Sequence, residues 1–170
     1  AFGQNFNVTP IQHISAISPV ANGGKLFEPY VVQRVTDNSG NVVYEHETEV
    51  KRQVVSEEVC KTIATMLEEG VSGDGGAKNA YVAGYRVAAK TGTSEKKTAG
   101  DEGEYICSCA AFAPADDPEI AIIIVVDEPR KGNLYGSTVA APYVGDALEN
   151  ILPYMGVQAK YTQEELDHMA

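Results

Sequence analysis

Three observations predict an α+β fold in which helices pack on an antiparallel sheet. Three strand-like runs, residues 85–94, 105–113 and 120–126, follow one another through short connections, and such neighbours pair most simply as antiparallel strands. A last apolar stripe, Val144, Leu148, Ile151 and Leu152, recurs at helical spacing and needs a sheet to lie on. The chain has 170 residues, 44% of them hydrophobic, which suits one core and one domain or a large piece of one.

In chain order, Thr9-Pro10 reads as a helix start, with Thr9 as cap and Pro10 at the first helical position. Ile11, Ile14 and Ile17 continue the pattern, Pro19 should kink or shorten it, and Asn22-Gly23-Gly24 ends it. His13 in this helix reads as structural. Residues 30–36 and 41–45 are strand-like around the turn Asp37-Asn38-Ser39-Gly40, which predicts a surface hairpin inserted at about 30–46.

Ser56 caps the next helix, and Glu57 and Glu58 suit its positive end. Its stripe is Val59, Ile63, Met66 and Leu67, with Cys60 and Ala64 beside it, and Gly70 stops it. The glycine-rich residues 71–79 follow a helix rather than a strand and lack a closing Gly-Lys-Ser/Thr. They read as a connector, not a phosphate cradle.

Residues 94–103 form a polar loop between the first two sheet strands. Pro114-Ala115-Asp116-Asp117-Pro118 is a turn, so its paired aspartates are turn residues before they are an acid–base or metal site. The third strand is apolar without alternation, as in a strand covered on both faces. The last long helix runs from about 139 to 152, and Pro153 ends or kinks it. The tail, residues 158–170, holds the capping-box pattern Thr162-Gln163-Glu164-Glu165. It is either the start of a short helix or a linker.

The formal net charge of -11 argues against nucleic-acid binding and against docking on anionic lipid by charge. No apolar run is long enough to span a membrane. The first residues, Ala1-Phe2-Gly3-Gln4, lack a methionine, and the chain reads as an excised piece. The three cysteines, Cys60, Cys107 and Cys109, do not make a disulfide framework. Cys107 and Cys109 point to one strand face and read as buried small hydrophobes rather than metal ligands. No metal and no organic cofactor is implied.

The candidate site is Ala89-Lys90-Thr91-Gly92-Thr93-Ser94. Lys90 supplies a cation, Thr91 and Thr93 supply hydroxyls, and Gly92 lets another backbone come close. With Ser-x-x-Lys and Ser-Asp-Asn, Lys-Thr-Gly is the signature set of serine β-lactamases and penicillin-binding proteins. The chain resembles the C-terminal half of the transpeptidase domain of a class B high-molecular-weight penicillin-binding protein, of the cell-division or sporulation type. Gly3-Gln4, Val8-Thr9-Pro10-Ile11-Gln12, Ala21-Asn22-Gly23-Gly24, Ala89 to Thr93, Phe112 to Glu119 and Val139-Ala140-Ala141-Pro142 carry the likeness, over about residues 1–157. The hairpin insertion and the Thr-Pro-Ile-Gln entry resemble that class rather than a β-lactamase.

The resemblance implies a Lys-Thr-Gly strand at the edge of the sheet, lining the cleft. Lys90 would bring charge and hydrogen bonds to the catalytic centre. Thr91 and Thr93 would hold the carboxylate of a peptidoglycan stem peptide or a β-lactam, and the Thr93 N–H would form half of the oxyanion hole. Ser94-Glu95-Lys96-Lys97 matches Ser-x-x-Lys in letters but follows the Lys-Thr-Gly strand instead of preceding it. Ser39-Gly40-Asn41 imitates Ser-x-Asn inside a hairpin turn. Neither is taken as catalytic, so the nucleophile is expected upstream, in the first half of the same domain. The implied parent is a D,D-transpeptidase, extracytoplasmic and held by an N-terminal membrane anchor outside this chain. A D,D-carboxypeptidase, or a non-catalytic β-lactam sensor or scaffold, is the alternative.

Overall fold

The computed structural model describes residues 7–96 and 103–170. Gly3-Gln4 and most of the polar loop after Ser94 lie outside the described residues. Helix α1 (Pro10–Ala21) starts on Thr9 in a full capping box with Gln12. Pro19 does not shorten it. It sits in the last turn, where few bonds remain to be lost, and its carbonyl accepts from the Gly24 N–H at 2.7 Å and the Cys60 thiol at 3.4 Å.

Four short strands then form a stalk and tip. Strand β1 (Lys25–Phe27) pairs with β4 (Val50–Gln53), and β2 (Arg34–Thr36) pairs with β3 (Val42–Glu45), both antiparallel. The tip is the predicted hairpin. Its turn closes on the Asp37 carboxylate, which accepts from the Ser39 and Asn41 N–H groups, with Gly40 at φ +85°. The bond that the Asn41 side-chain amide donates to this carboxylate at 2.9 Å, followed by that from the Asn41 N–H, holds the Asp37 pKa below the usual carboxylate range. The β1/β4 stalk was not foreseen. Its strands are three and four residues long and bear Lys25, Lys51 and Arg52, so they carry no alternating signal.

Helix α2 (Glu57–Ser72) is capped by Ser56 and runs through Gly70 to Gly73. Its buried stripe is Cys60, Ala64 and Val71, while Val59 and Met66 are exposed. The predicted stripe is therefore rotated. The helix lies close to its neighbours through Cys60 and Ala64, Leu67 packs beside them, and Val59 and Met66 point away. A short 3-10 turn, Lys78–Ala80, follows.

The sheet is β5 (Ala88–Glu95), β6 (Tyr105–Ala113) and β7 (Ile120–Asp127), antiparallel in that order. Helices cover both faces. On one, Ala89, Cys109 and Ala111 meet Val144, Leu148 and Leu152 of α4 (Ala141–Tyr154). On the other, Ala88 and Phe112 meet Ala64 and the flank of α1. A four-residue turn, α3 (Gly136–Val139), precedes α4, so the predicted start at about 139 falls between two helical pieces. Pro153 lies inside α4, again in its last turn. Strand β7 is apolar on both sides as predicted, but it is an edge strand and stays only half-buried, with Val125 exposed.

The tail forms helix α5 (Gln163–Met169), capped by Thr162 and Glu165. It folds back on the turn before β5. The Glu165 carboxylate accepts from the Tyr81 hydroxyl, from the Gly84 N–H at 2.9 Å and from the Thr162 N–H at 2.6 Å. Lys160 N–H donates to the Gly84 carbonyl at 2.7 Å. Gly84 is required here: φ is +77°, and a Cβ would meet Tyr161 at 2.8 Å.

Two outcomes follow from this packing. Leu148 is fully buried between α4 and the sheet, and Leu148→Ala is expected to cost about 2–5 kcal/mol in chemical denaturation. The bonds to Glu165, first that from Tyr81, lower its pKa to about 2. Its contribution to tail docking is therefore complete above the unfolded value near 4.5 and is lost as pH falls toward 2. Hydrogen-exchange protection at residues 159–168, relative to the intrinsic rate at each pH, should fall over that window in the native chain. In Glu165→Gln the same window should show no titration.

Candidate active site

All four predicted site residues lie on β5, an edge strand of the sheet among the described residues. Ala88 and Ala89 at its start are buried and anchor it, Lys90 is exposed, and Thr91, Gly92 and Thr93 are half-buried. Register with β6 sets Lys90 opposite Ala110, Thr91 opposite Cys109, Gly92 opposite Ser108 and Thr93 opposite Cys107. Side chains alternate across the sheet. Thr91 and Thr93 therefore share the α4 face with the two cysteines, while Lys90 and Gly92 share the other with Ala110 and Ser108.

On that second face α1 and α2 cover only the end near Ala88 and Phe112. Farther along, Ser108 is half-buried and Val125 beside it is exposed. Among the described residues the helices thus stop short of Gly92, and the strand is open there on one side as well as along its edge.

The charges around β5 divide sharply. Just before the strand, Arg86 bonds both carboxylate oxygens of Glu68 at 2.6 Å and pairs with Asp116 at 2.9 Å. Chiefly the Glu68 bond raises its pKa. Just after the strand, Lys96 pairs with Asp127 at 2.9 Å and Glu128 at 2.5 Å, and these two acids raise its pKa as well. Lys90, between them, pairs with no carboxylate among the described residues. Its Nζ donates to the Thr91 carbonyl at 2.7 Å. Its charge is felt at Cys109, where it opposes the burial that pushes that thiol up to about 11.

A Cβ on Gly92 would lie 2.7 Å from the Ser108 Oγ, so a side chain there would make Ser108 turn away. On the opposite face the Gly136 N–H donates to the Thr93 Oγ1 at 2.9 Å. The glycine-rich loop comes near as well: a Cβ on Gly76 would lie 3.9 Å from the Thr91 Oγ1. Asn79 Nδ2 donates to the Ser137 carbonyl at 2.7 Å, tying that loop to α3. Gly76, Asn79 and Gly136 were not foreseen as parts of the site. Gly136 stands directly before the helical stripe, in Tyr135-Gly136-Ser137, which is the signal that could have found it.

Ser94 is a strand residue opposite Ile106 and starts no helix; Lys97 lies outside the described residues. Ser39 is in the hairpin turn. All three thiols are free and buried, as read from the sequence, and Cys107 donates to the Leu134 carbonyl at 3.3 Å. Among the described residues no cluster of His, Cys, Asp and Glu is arranged to hold a metal. Asp116 serves the Arg86 bridge.

Comparison with known proteins fits this geometry. The chain is 42% identical over 97% of its length to stage V sporulation protein D of Bacillus subtilis. It is 29% identical over 93% of its length to the peptidoglycan D,D-transpeptidase FtsI of Escherichia coli. It spans about a quarter of each, 26% and 25%. Among solved structures it resembles penicillin-binding protein 3 of Mycobacterium tuberculosis complexed with ampicillin, with TM-score 0.82, 25% identity, and coverage of 95% of this chain and 38% of that one. It also resembles the transpeptidase domain of Burkholderia pseudomallei penicillin-binding protein 3, with TM-score 0.75, 27% identity, and coverage of 91% of this chain and 45% of that one. These relatives are of the sporulation and cell-division type that the sequence resembled. Residues 1–149 match the penicillin binding protein transpeptidase domain as a family, and the chain belongs to that family.

Proposed function

We propose that the chain is one wall of the active site of a peptidoglycan D,D-transpeptidase, which cross-links stem peptides through a serine acyl-enzyme and is acylated by penicillin in the same way. The observation that carries this reading is the state of Lys90. In a chain of net charge -11 it is the cation on β5 left exposed and, among the described residues, without an acid partner, while Arg86 and Lys96 on either side are fully engaged.

Each step assigns a group. The stem peptide lies along the open edge of β5 as an added strand. Its terminal carboxylate is held by the Thr91 and Thr93 hydroxyls. A serine from the upstream half of the domain attacks the penultimate carbonyl, and the terminal D-residue leaves with its amine protonated. The Thr93 N–H donates to the carbonyl oxygen as it becomes an oxyanion, where one such donor is worth about 2.7–4 kcal/mol in other enzymes. Lys90 stabilises negative charge at the serine oxygen and the bound carboxylate. A second stem-peptide amine then displaces the serine. The open face beside Lys90, Gly92 and Ser108 suits the upstream half that would carry the nucleophile.

The substrate places the parent outside the cytoplasmic membrane, held by an anchor upstream of this chain. No helix among the described residues is long and apolar enough to cross a membrane.

Two experiments test the reading. Fluorescent penicillin incubated with this chain alone should leave no covalent label, since neither Ser94 nor Ser39 is placed as a nucleophile. A stoichiometric adduct on Ser94 would overturn the assignment. In the full-length protein, Lys90→Ala should slow penicillin acylation by about 10²-fold or more. Because the side chain is exposed, stability should stay within about 0.5 kcal/mol of the parent. Unchanged acylation would remove Lys90 from the mechanism.

A further inference from the structure

The Thr93 hydroxyl is not a free rotor. A hydroxyl has one proton to donate and two lone pairs. Gly136 N–H donates to the Thr93 Oγ1 at 2.9 Å, and Thr93 makes no side-chain bond as a donor among the described residues. The bond occupies an acceptor lobe on the side of the sheet where α3 lies. The proton is left for another acceptor.

The contact is built rather than incidental. Gly136 is buried on the backbone of both strands: a Cβ there would lie 2.4 Å from the Gly92 carbonyl oxygen and 2.5 Å from that of Ser108. Only a glycine brings its N–H this close to Thr93. The turn that carries Gly136 is held from several directions. Asn79 Nδ2 donates to the Ser137 carbonyl at 2.7 Å, the Cys107 thiol to the Leu134 carbonyl at 3.3 Å, and the Thr138 hydroxyl to the Asn133 carbonyl at 2.8 Å. Such support fixes a donor direction to the tolerance a binding site needs.

We propose that Gly136 is a positioning residue for the acyl-transfer site. Its main-chain N–H takes one of the two acceptor lobes of the Thr93 oxygen and so orients the hydroxyl, leaving its proton to be donated to a ligand. Thr93 is thereby matched to a ligand group that only accepts, such as a carboxylate, and loses no rotor entropy on binding it. The inference rests on the proposed role of Thr93 in holding the carboxylate.

The test is a double-mutant cycle on benzylpenicillin acylation in the full-length protein. Replacing Gly136 by glycolic acid turns its amide into an ester, removing the N–H without adding a Cβ. Acylation efficiency should fall about three- to tenfold, as for a neutral hydrogen bond, with the loss in the saturation constant rather than in the limiting rate. Thr93→Ser should keep that sensitivity. In the Thr93→Val background, which has no hydroxyl to orient, the same replacement should change nothing. Asn79→Ala, which loosens the turn, gives a second route: a loss with Thr93 present and none in Thr93→Val.

An equal loss in both backgrounds would make the contact merely structural and overturn the proposal. So would no loss in either. If Thr93→Val itself acylates normally, the role of Thr93 falls first and the positioning role with it, a result distinct from additivity.

Discussion

The spacing between the sheet and its covering layers depends on the small side chains of β6. Cys107, Cys109, Ala111 and Ala113 face one side and Ala110 the other, and all are buried. Short side chains let α4 seat Val144, Leu148 and Leu152 deep against the strand, and they let the backbone of α3 rest on Gly92 and Ser108. Among the described residues strand β5 pairs with β6 alone, so the strand of the candidate site takes its position from β6 and from what presses on it. A larger residue at Cys107 or Cys109 would lift α3 and α4 together, at the usual cost of overpacking, and would move Gly136 away from Thr93.

Much of the architecture was legible in the sequence because it rests on local pattern. The three sheet strands, the caps at Thr9, Ser56 and Thr162 and the Asp37–Gly40 turn each depend on residues a few positions apart. The site strand was legible for a different reason, since Lys-Thr-Gly carries its chemistry in adjacent residues. What escaped depends on distance of approach. Hydrophobicity chose Val59 and Met66 for the inner stripe of α2, whereas the packing chose Cys60 and Ala64, because a helix sits nearest where its side chains are smallest. Gly70 and Pro19 are helix breakers by propensity, yet each lies within the final turn of its helix, where few bonds remain to be lost. Gly136 acts on a residue 43 positions away, through a backbone contact that no local pattern encodes.

Electrostatics follow the same division between frame and site. Arg86 joins the end of α2 to the turn after β6, and Lys96 joins the far end of β5 to the end of β7. Each cation spans elements that the backbone ladder does not connect, and each is surrounded by acids that hold its proton. Lys90 lies between these two clamps with its nearest bond to a neighbouring carbonyl. The frame is fastened at both ends, and the charge in the middle is left available.

The fold-back of the tail also sets how the chain carries mechanical load. The carbonyl and N–H of Gly84 are both taken by the tail, and Tyr85 bonds the Val157 carbonyl at 3.2 Å. A pull on Ala170 is therefore borne first by the Tyr81–Tyr85 turn rather than passed along α4. That turn leads directly into β5. Tension at the C-terminal end reaches the sheet a few residues from Lys90, so the strand of the candidate site is the first part of the sheet to feel a force applied from that end of the molecule.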